Sequence, residues 1–181
     1  MQYINHYESP IGGITLASDG QSLTGLWFEG QKYYADTLET DYYDTDNEIT
    51  SVNKTSDTEG LEKALTIFKQ THRWLDLYFK GKVPDFTPPL SPAGSDFRRE
   101  VWDILLSIPF GQTMTYGEIA ARIAHKRGLK SMSSQAVGGA VAHNPISIII
   151  PCHRVIGSNG SLTGYAGGID KKIHLLTLEK E

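Results

Sequence analysis

Cysteine is nearly absent from this chain: Cys152 is the only one among 181 residues. A single thiol excludes an internal disulfide framework and suits a reducing cytoplasm. One cysteine and six scattered histidines offer no paired ligand spacing, so no metal is expected. Long apolar runs are missing too, and no stretch has the length or apolarity of a membrane span. Met1-Gln2-Tyr3-Ile4-Asn5-His6 lacks the basic start and apolar core of a secretory signal. A soluble cytoplasmic protein with no membrane partner is the expectation. Positive charge is also scarce, with 17 Lys and Arg against 21 Asp and Glu, a net charge of −4. That average hides an asymmetry. Residues 93–181 carry ten basic and seven acidic side chains, whereas residues 1–92 carry seven and fourteen. A phosphate-binding surface needs only a local basic patch, so the second half permits a nucleic-acid partner without establishing one.

The first half reads as a small α+β unit. Gln2–Glu8, Gly13–Ser18 and Leu23–Phe28 are β-rich runs parted by two good turn sequences. Residues 41–60 are acidic and polar, including Asp44, Asp46, Glu48 and Asp57, and read as a solvated loop. A helix is predicted from Glu62 to Phe79, with Leu65, Phe68, Trp74, Leu75 and Tyr78 as its apolar stripe. Pro84, Pro88, Pro89 and Pro92 then mark a domain boundary, giving domains 1–92 and 93–181. In the second half, helices are predicted at Ser95–Ser107, Thr115–His125, Ser134–His143 and Asp170–Glu179, with Ser95 as an N-cap. Lys126–Ser131 would be a turn, which makes the middle pair a candidate helix-turn-helix. Such a pair either packs as ordinary helices or inserts its second member into a DNA groove.

Cys152 sits at the end of Ser147–Ile150, an apolar run that reads as a strand closed by Pro151. The thiolate is the reactive form, and the neighbouring His153 and Arg154 favour a depressed pKa. A lone buried cysteine also serves as a small hydrophobe, and these residues alone leave both readings open. Gln135-Ala136-Val137-Gly138-Gly139-Ala140 is unusual for a helix, because each interior glycine costs roughly 0.5–1 kcal/mol relative to alanine. Close helix packing and close approach to DNA are the two explanations.

Pro151-Cys152-His153-Arg154-Val155 closely resembles the active-site signature of the O6-alkylguanine-DNA alkyltransferases, the methylated-DNA–protein-cysteine methyltransferases. Pro109-Phe110-Gly111, Thr115-Tyr116-Gly117, Ala136–Ala140, Asn144-Pro145 and Gly164–Gly168 fall in the family's order and approximate spacing. The resemblance covers roughly residues 95–179. It implies an α+β protein with a small N-terminal α/β, ribonuclease-H-like domain. A mainly helical C-terminal domain with a winged-helix-like helix-turn-helix would follow.

By the same resemblance, Cys152 takes an alkyl group from O6-alkylguanine, and from O4-methylthymine, in one irreversible transfer per molecule that needs no cofactor. His153 would act through a bridging water, because neighbours on a strand face opposite ways, and Glu179 would orient it. Asn144 would tie the recognition helix to the Cys152 loop. Tyr116 would protonate the leaving guanine. Tyr116, Val155, Gly157, Ser158, Tyr165 and Ala166 would hold the flipped base; the two tyrosines are otherwise amphipathic core residues. Gln135, Ala136, Gly138, Gly139 and Arg154 would form the DNA face in the minor groove, although Arg154 also suits bracing the loop. The family commonly has arginine where this chain has Gln135, which fills the gap left by the flipped nucleotide. The partner is double-stranded DNA carrying alkylated guanine, and the protein is expected to act as a monomer. The rival reading is a non-catalytic lesion binder, whose relatives usually carry tryptophan at the cysteine position. A cysteine hydrolase would need an oxyanion site that the sequence does not announce.

Overall fold

A computed structural model describes residues 1–47 and 57–181. The chain divides into two compact units: Met1–Gly30 with Tyr34–Ala93, and Gln31–Tyr33 with Gly94–Glu181.

The first unit holds a four-stranded sheet in the order β3-β2-β1-β4. β1 (Gln2–Ser9), β2 (Gly12–Ser18) and β3 (Leu23–Phe28) form an antiparallel meander, and β4 (Tyr42–Asp44) pairs parallel to β1. The first turn is built by Ser9, whose hydroxyl accepts from the Ile11 amide and donates to the Gly12 carbonyl. The helix α1 (Thr58–Phe79) buries Ala64, Ile67, Phe68, Thr71, Trp74, Leu75 and Tyr78. Leu65, expected in that stripe, lies outside it and is 45% exposed. The expected loop over residues 41–60 is also corrected. Tyr42–Asp44 is recruited into the sheet by β1, and α1 begins at Thr58 because the Asp57 carboxylate caps the Gly60 amide. Glu48 falls outside the described residues. The proline-rich segment ties to the edge strand β3: Leu23 donates to Pro89 O and Ser91 donates to Leu23 O.

The second unit is mainly helical. α2 (Asp96–Leu106) is capped by Ser95, as its sequence predicts. α3 (Tyr116–Arg127) starts with a reciprocal capping box between Thr115 and Glu118 and ends at Gly128 in the left-handed region. α4 (Ser134–Ala142) is capped by Ser133, and α5 (Ile169–Leu178) closes the unit. Trp102 of α2 donates its indole N–H to Ala140 O of α4 at 2.9 Å, joining the two helices. A short parallel pair, β5 (Met114–Thr115) and β6 (Val155–Ile156), sets the start of α3 beside the residues after Cys152. Ser147–Ile150 is not a strand. Residues 147–149 form a turn with Ile148 at φ +67°, and Ile150 donates back to Ile146 O. Side chains and local hydrogen bonds satisfy this apolar run without a partner strand.

Candidate active site

The turn before the cysteine is held by Asn144, which is buried. Its Nδ2 donates to Ile150 O at 2.8 Å and Ile146 O at 3.2 Å, and its Oδ1 accepts from Ile146 N at 3.0 Å. α4 ends at Ala142, so Asn144 joins the end of that helix to the chain entering Cys152. Cys152, His153 and Arg154 then form one 3-10 turn, all three buried. The strand alternation invoked for His153 does not apply in such a turn.

His153 is fully buried, and its Nε2 lies 2.6 Å from Glu179 Oε1. Arg154 reaches the same carboxylate through Nε and Nη2, both at 2.9 Å, and donates Nη1 to Ile108 O at 2.6 Å. Gly111 N donates to Glu179 Oε2 at 3.1 Å. Gly111 sits at φ +78°, and a Cβ there would meet the Glu179 carbonyl oxygen at 2.9 Å. Only glycine suits that position, which gives Pro109-Phe110-Gly111 a physical role. Burial pushes the Glu179 carboxyl up, but hydrogen bonds from His153 and Arg154 overcome it and hold the pKa at about 2. Burial keeps His153 neutral by lowering its pKa. A carboxylate can only accept, so Nε2 carries the imidazole proton and Nδ1 is the basic nitrogen.

Arg154 does not lie on the DNA face that the resemblance implies: it is 8% exposed and its guanidinium is committed to Glu179 and Ile108. Bracing is what the geometry gives it. Cys152 was expected to have a depressed pKa, but it is 4% exposed and burial raises it. The Asn144 side chain, the Lys172 charge and the backbone amides of Cys152 and His153 oppose that rise without cancelling it. At rest the group is a thiol.

Lys172 is the residue that motif reading missed. It is fully buried on α5, donates Nζ to Val155 O at 2.6 Å, and has its pKa lowered by burial against the pull of Cys152. Lys172, Leu175, Leu176 and Glu179 are all buried and follow the i, i+3, i+4, i+7 pattern of an inward face. A lysine in an apolar stripe was the available signal.

A cavity of about 320 Å³ lies where Tyr116 and Tyr165, both within electrostatic reach of Cys152, come together. Tyr116 at the start of α3, Gly138 and Ala142 of α4, and the loop Thr163 to Ala166 line it, together with Lys32. The Tyr116 hydroxyl lies 3.3 Å from Thr163 O and 3.4 Å from Gly164 O. Burial and the neighbouring Cys152 push up the phenols of both Tyr116 and Tyr165. The structure therefore brings Tyr116, Tyr165 and Ala166 together, but not all of the expected pocket. Val155 is fully buried with its carbonyl taken by Lys172, Gly157 N is tied to Ser161 O in a turn, and Ser158 is exposed on that turn.

Along α4, Gln135, Ala136 and Gly139 are exposed and Gly138 is half-buried. A Cβ at Gly139 would meet nothing within 4 Å, and one at Gly138 would meet only the Tyr116 ring at 3.9 Å. Close helix packing does not explain the glycine pair. In the first unit, the sheet brings ligand atoms of His6, Asp44 and Asp46 within 4.8 Å of one another. Their distance in sequence hides this cluster, in which His6 and Asp46 form a half-exposed pair.

Residues 96–181 match the DNA binding domain of 6-O-methylguanine DNA methyltransferase, and residues 3–92 match its ribonuclease-like domain. The chain is 41% identical over 177 residues to a methylated-DNA–protein-cysteine methyltransferase of Methanosarcina acetivorans, covering 98% of this chain and 97% of the relative. It is 37% identical to the protein of that name from Haemophilus influenzae, covering 98% and 86%. The crystal structure of Mycobacterium tuberculosis OGT in complex with DNA superimposes with a TM-score of 0.75 at 39% identity, covering 98% of this chain and 92% of that one.

Proposed function

The chain belongs to the 6-O-methylguanine DNA methyltransferase family and acts in DNA repair by alkyl transfer to cysteine, and from that premise we propose that Cys152 is the acceptor and O6-alkylguanine the donor. One observation carries this reading: the only thiol in the chain adjoins His153, which is bonded at 2.6 Å to a carboxylate held ionised. Neutral His153 takes the Cys152 proton at Nδ1 through a bridging water, and Glu179 stabilises the imidazolium that results. The Asn144 amide, the Lys172 charge and two backbone amides hold the thiolate once it forms. Sγ attacks the alkyl carbon in line, the S–C bond forms and the C–O6 bond breaks. The electron pair stays with guanine, which takes a proton from the Tyr116 hydroxyl; solvent returns that proton. The thioether is stable and nothing in the site regenerates the thiol, so each molecule acts once.

Guanine O6 is inaccessible to a buried sulfur while the base is stacked, so the nucleotide is everted. The cavity between α4 and the 163–166 loop suits the everted base. The exposed, small-residue face of α4 suits the minor groove, with Gln135 at the vacated position. Activity as a monomer is supported by the placement of every site residue in one unit. A cytoplasmic setting keeps the lone thiol reduced. O4-methylthymine is the proposed second lesion, since it presents the same alkyl–oxygen bond. The test is Cys152→Ala. It should retain binding to duplex DNA containing O6-methylguanine while losing transfer; methyl uptake by the variant would remove Cys152 from the mechanism.

A further inference from the structure

Segment Gln31–Tyr33 is held against the cavity by two contacts. The Lys32 amide donates to Ala166 O at 3.0 Å, and within the segment Gln31 Nε2 donates to Lys32 O at 3.2 Å. The Tyr33 ring stacks on His143, with centroids 3.9 Å apart and planes at 25°. His143 caps the end of α4, its Nδ1 lying 2.7 Å from Gly139 O. Tyr33 is kept at φ +58°, a region that non-glycine residues rarely adopt, so tertiary contact dictates this conformation. The Lys32 side chain lines the cavity mouth, exposed to solvent, with Nζ 4.9 Å from the Tyr33 ring centroid.

The surrounding chemistry lacks cations. Lys32 is the only charged residue lining the cavity. No lysine or arginine occurs in α4 or in residues 163–168. A nucleotide whose base enters this cavity leaves its phosphates at the mouth, where a positive charge lowers the cost of eversion. We propose that Lys32 pairs with a backbone phosphate flanking the everted nucleotide, which makes it a positioning residue for the transfer. This rests on the reading that the cavity takes the everted base.

The experiment uses the full chain as wild type, Lys32→Ala and Lys32→Arg. Single-turnover transfer is measured from duplex O6-methylguanine and from free O6-benzylguanine across a salt series. Lys32→Ala should lower the ratio of duplex to free-base rate about fivefold at low salt and flatten the duplex salt slope by about one phosphate contact. Lys32→Arg should restore both. A constant ratio with an unchanged slope, or failure of arginine to restore the slope, would overturn the assignment. Wild-type protein that transferred from neither substrate would overturn the reading of the cavity itself, an outcome distinct from failure of Lys32 alone.

Discussion

Replacing Glu179 with glutamine should destabilise the protein strongly and in a pH-dependent way. The carboxylate accepts from His153, from two nitrogens of Arg154 and from the Gly111 amide, and its side chain is 1% exposed. Glutamine keeps the shape but leaves the buried Arg154 charge without its counter-ion. The Glu179 pKa falls from 4.5 to about 2 in the folded chain. At about 1.4 kcal/mol per pKa unit, this corresponds to about 3 kcal/mol of stability at neutral pH. Breaking a buried pair from one side costs about 3–5 kcal/mol, which agrees. For a protein of this size, each kcal/mol lowers Tm by about 2–4 °C, so Glu179→Gln should melt roughly 6–12 °C lower. A carboxylate with a depressed pKa stabilises the fold above its unfolded pKa and loses that contribution as pH falls towards its folded pKa. The gap between wild type and variant should therefore be full above about pH 5 and shrink between pH 4.5 and 2. Urea unfolding followed by circular dichroism at a series of pH values measures it. A gap under about 1 kcal/mol at pH 7, or one that stays constant down to pH 3, would refute the reasoning.

Three further outcomes are expected. Lys172→Met removes a charge that favours the thiolate, so Cys152 should titrate higher, the rate–pH profile should move up, and transfer at pH 7 should slow about tenfold per unit moved; an unchanged profile would exclude Lys172 from thiolate stabilisation. Gly139→Ala adds a methyl group in open space within a helix, so it should stabilise the fold by about 0.5–1 kcal/mol while weakening duplex binding; unaltered binding would place the DNA away from α4. Gln135→Arg should tighten duplex binding and steepen its salt slope by up to about one counterion, and equal effects on free base and duplex would show that Gln135 shapes the pocket.

The legible parts of the fold were those with local signals. Ser95 starts its helix because its hydroxyl satisfies an orphan amide, and the meander follows from Ser9-Pro10-Ile11-Gly12. β4 was illegible because its pairing partner, β1, is distant in sequence and three residues are too few to show a strand's alternation. Ser147–Ile150 misled for the opposite reason. Its β-branched composition reads as a strand, but the Asn144 amide bonds that would satisfy strand partners keep it a turn. Within the site, Glu179, His153 and Asn144 were legible by their match to the motif. Whether Arg154 points in or out depends on where Glu179 folds back, and no local pattern carries that information. Lys32 belongs to the N-terminal stretch of sequence, far from every motif, and only the fold places it at the cavity.

The central claim is that Cys152 is the permanent acceptor. Intact-mass and peptide mass spectrometry after mixing the protein with excess duplex O6-methylguanine tests it most directly. One methyl group per molecule, carried on the Cys152 peptide and unchanged after prolonged incubation or fresh substrate, is the predicted result. An unmodified protein, a methyl group on another residue, or substrate consumed beyond one equivalent would contradict it.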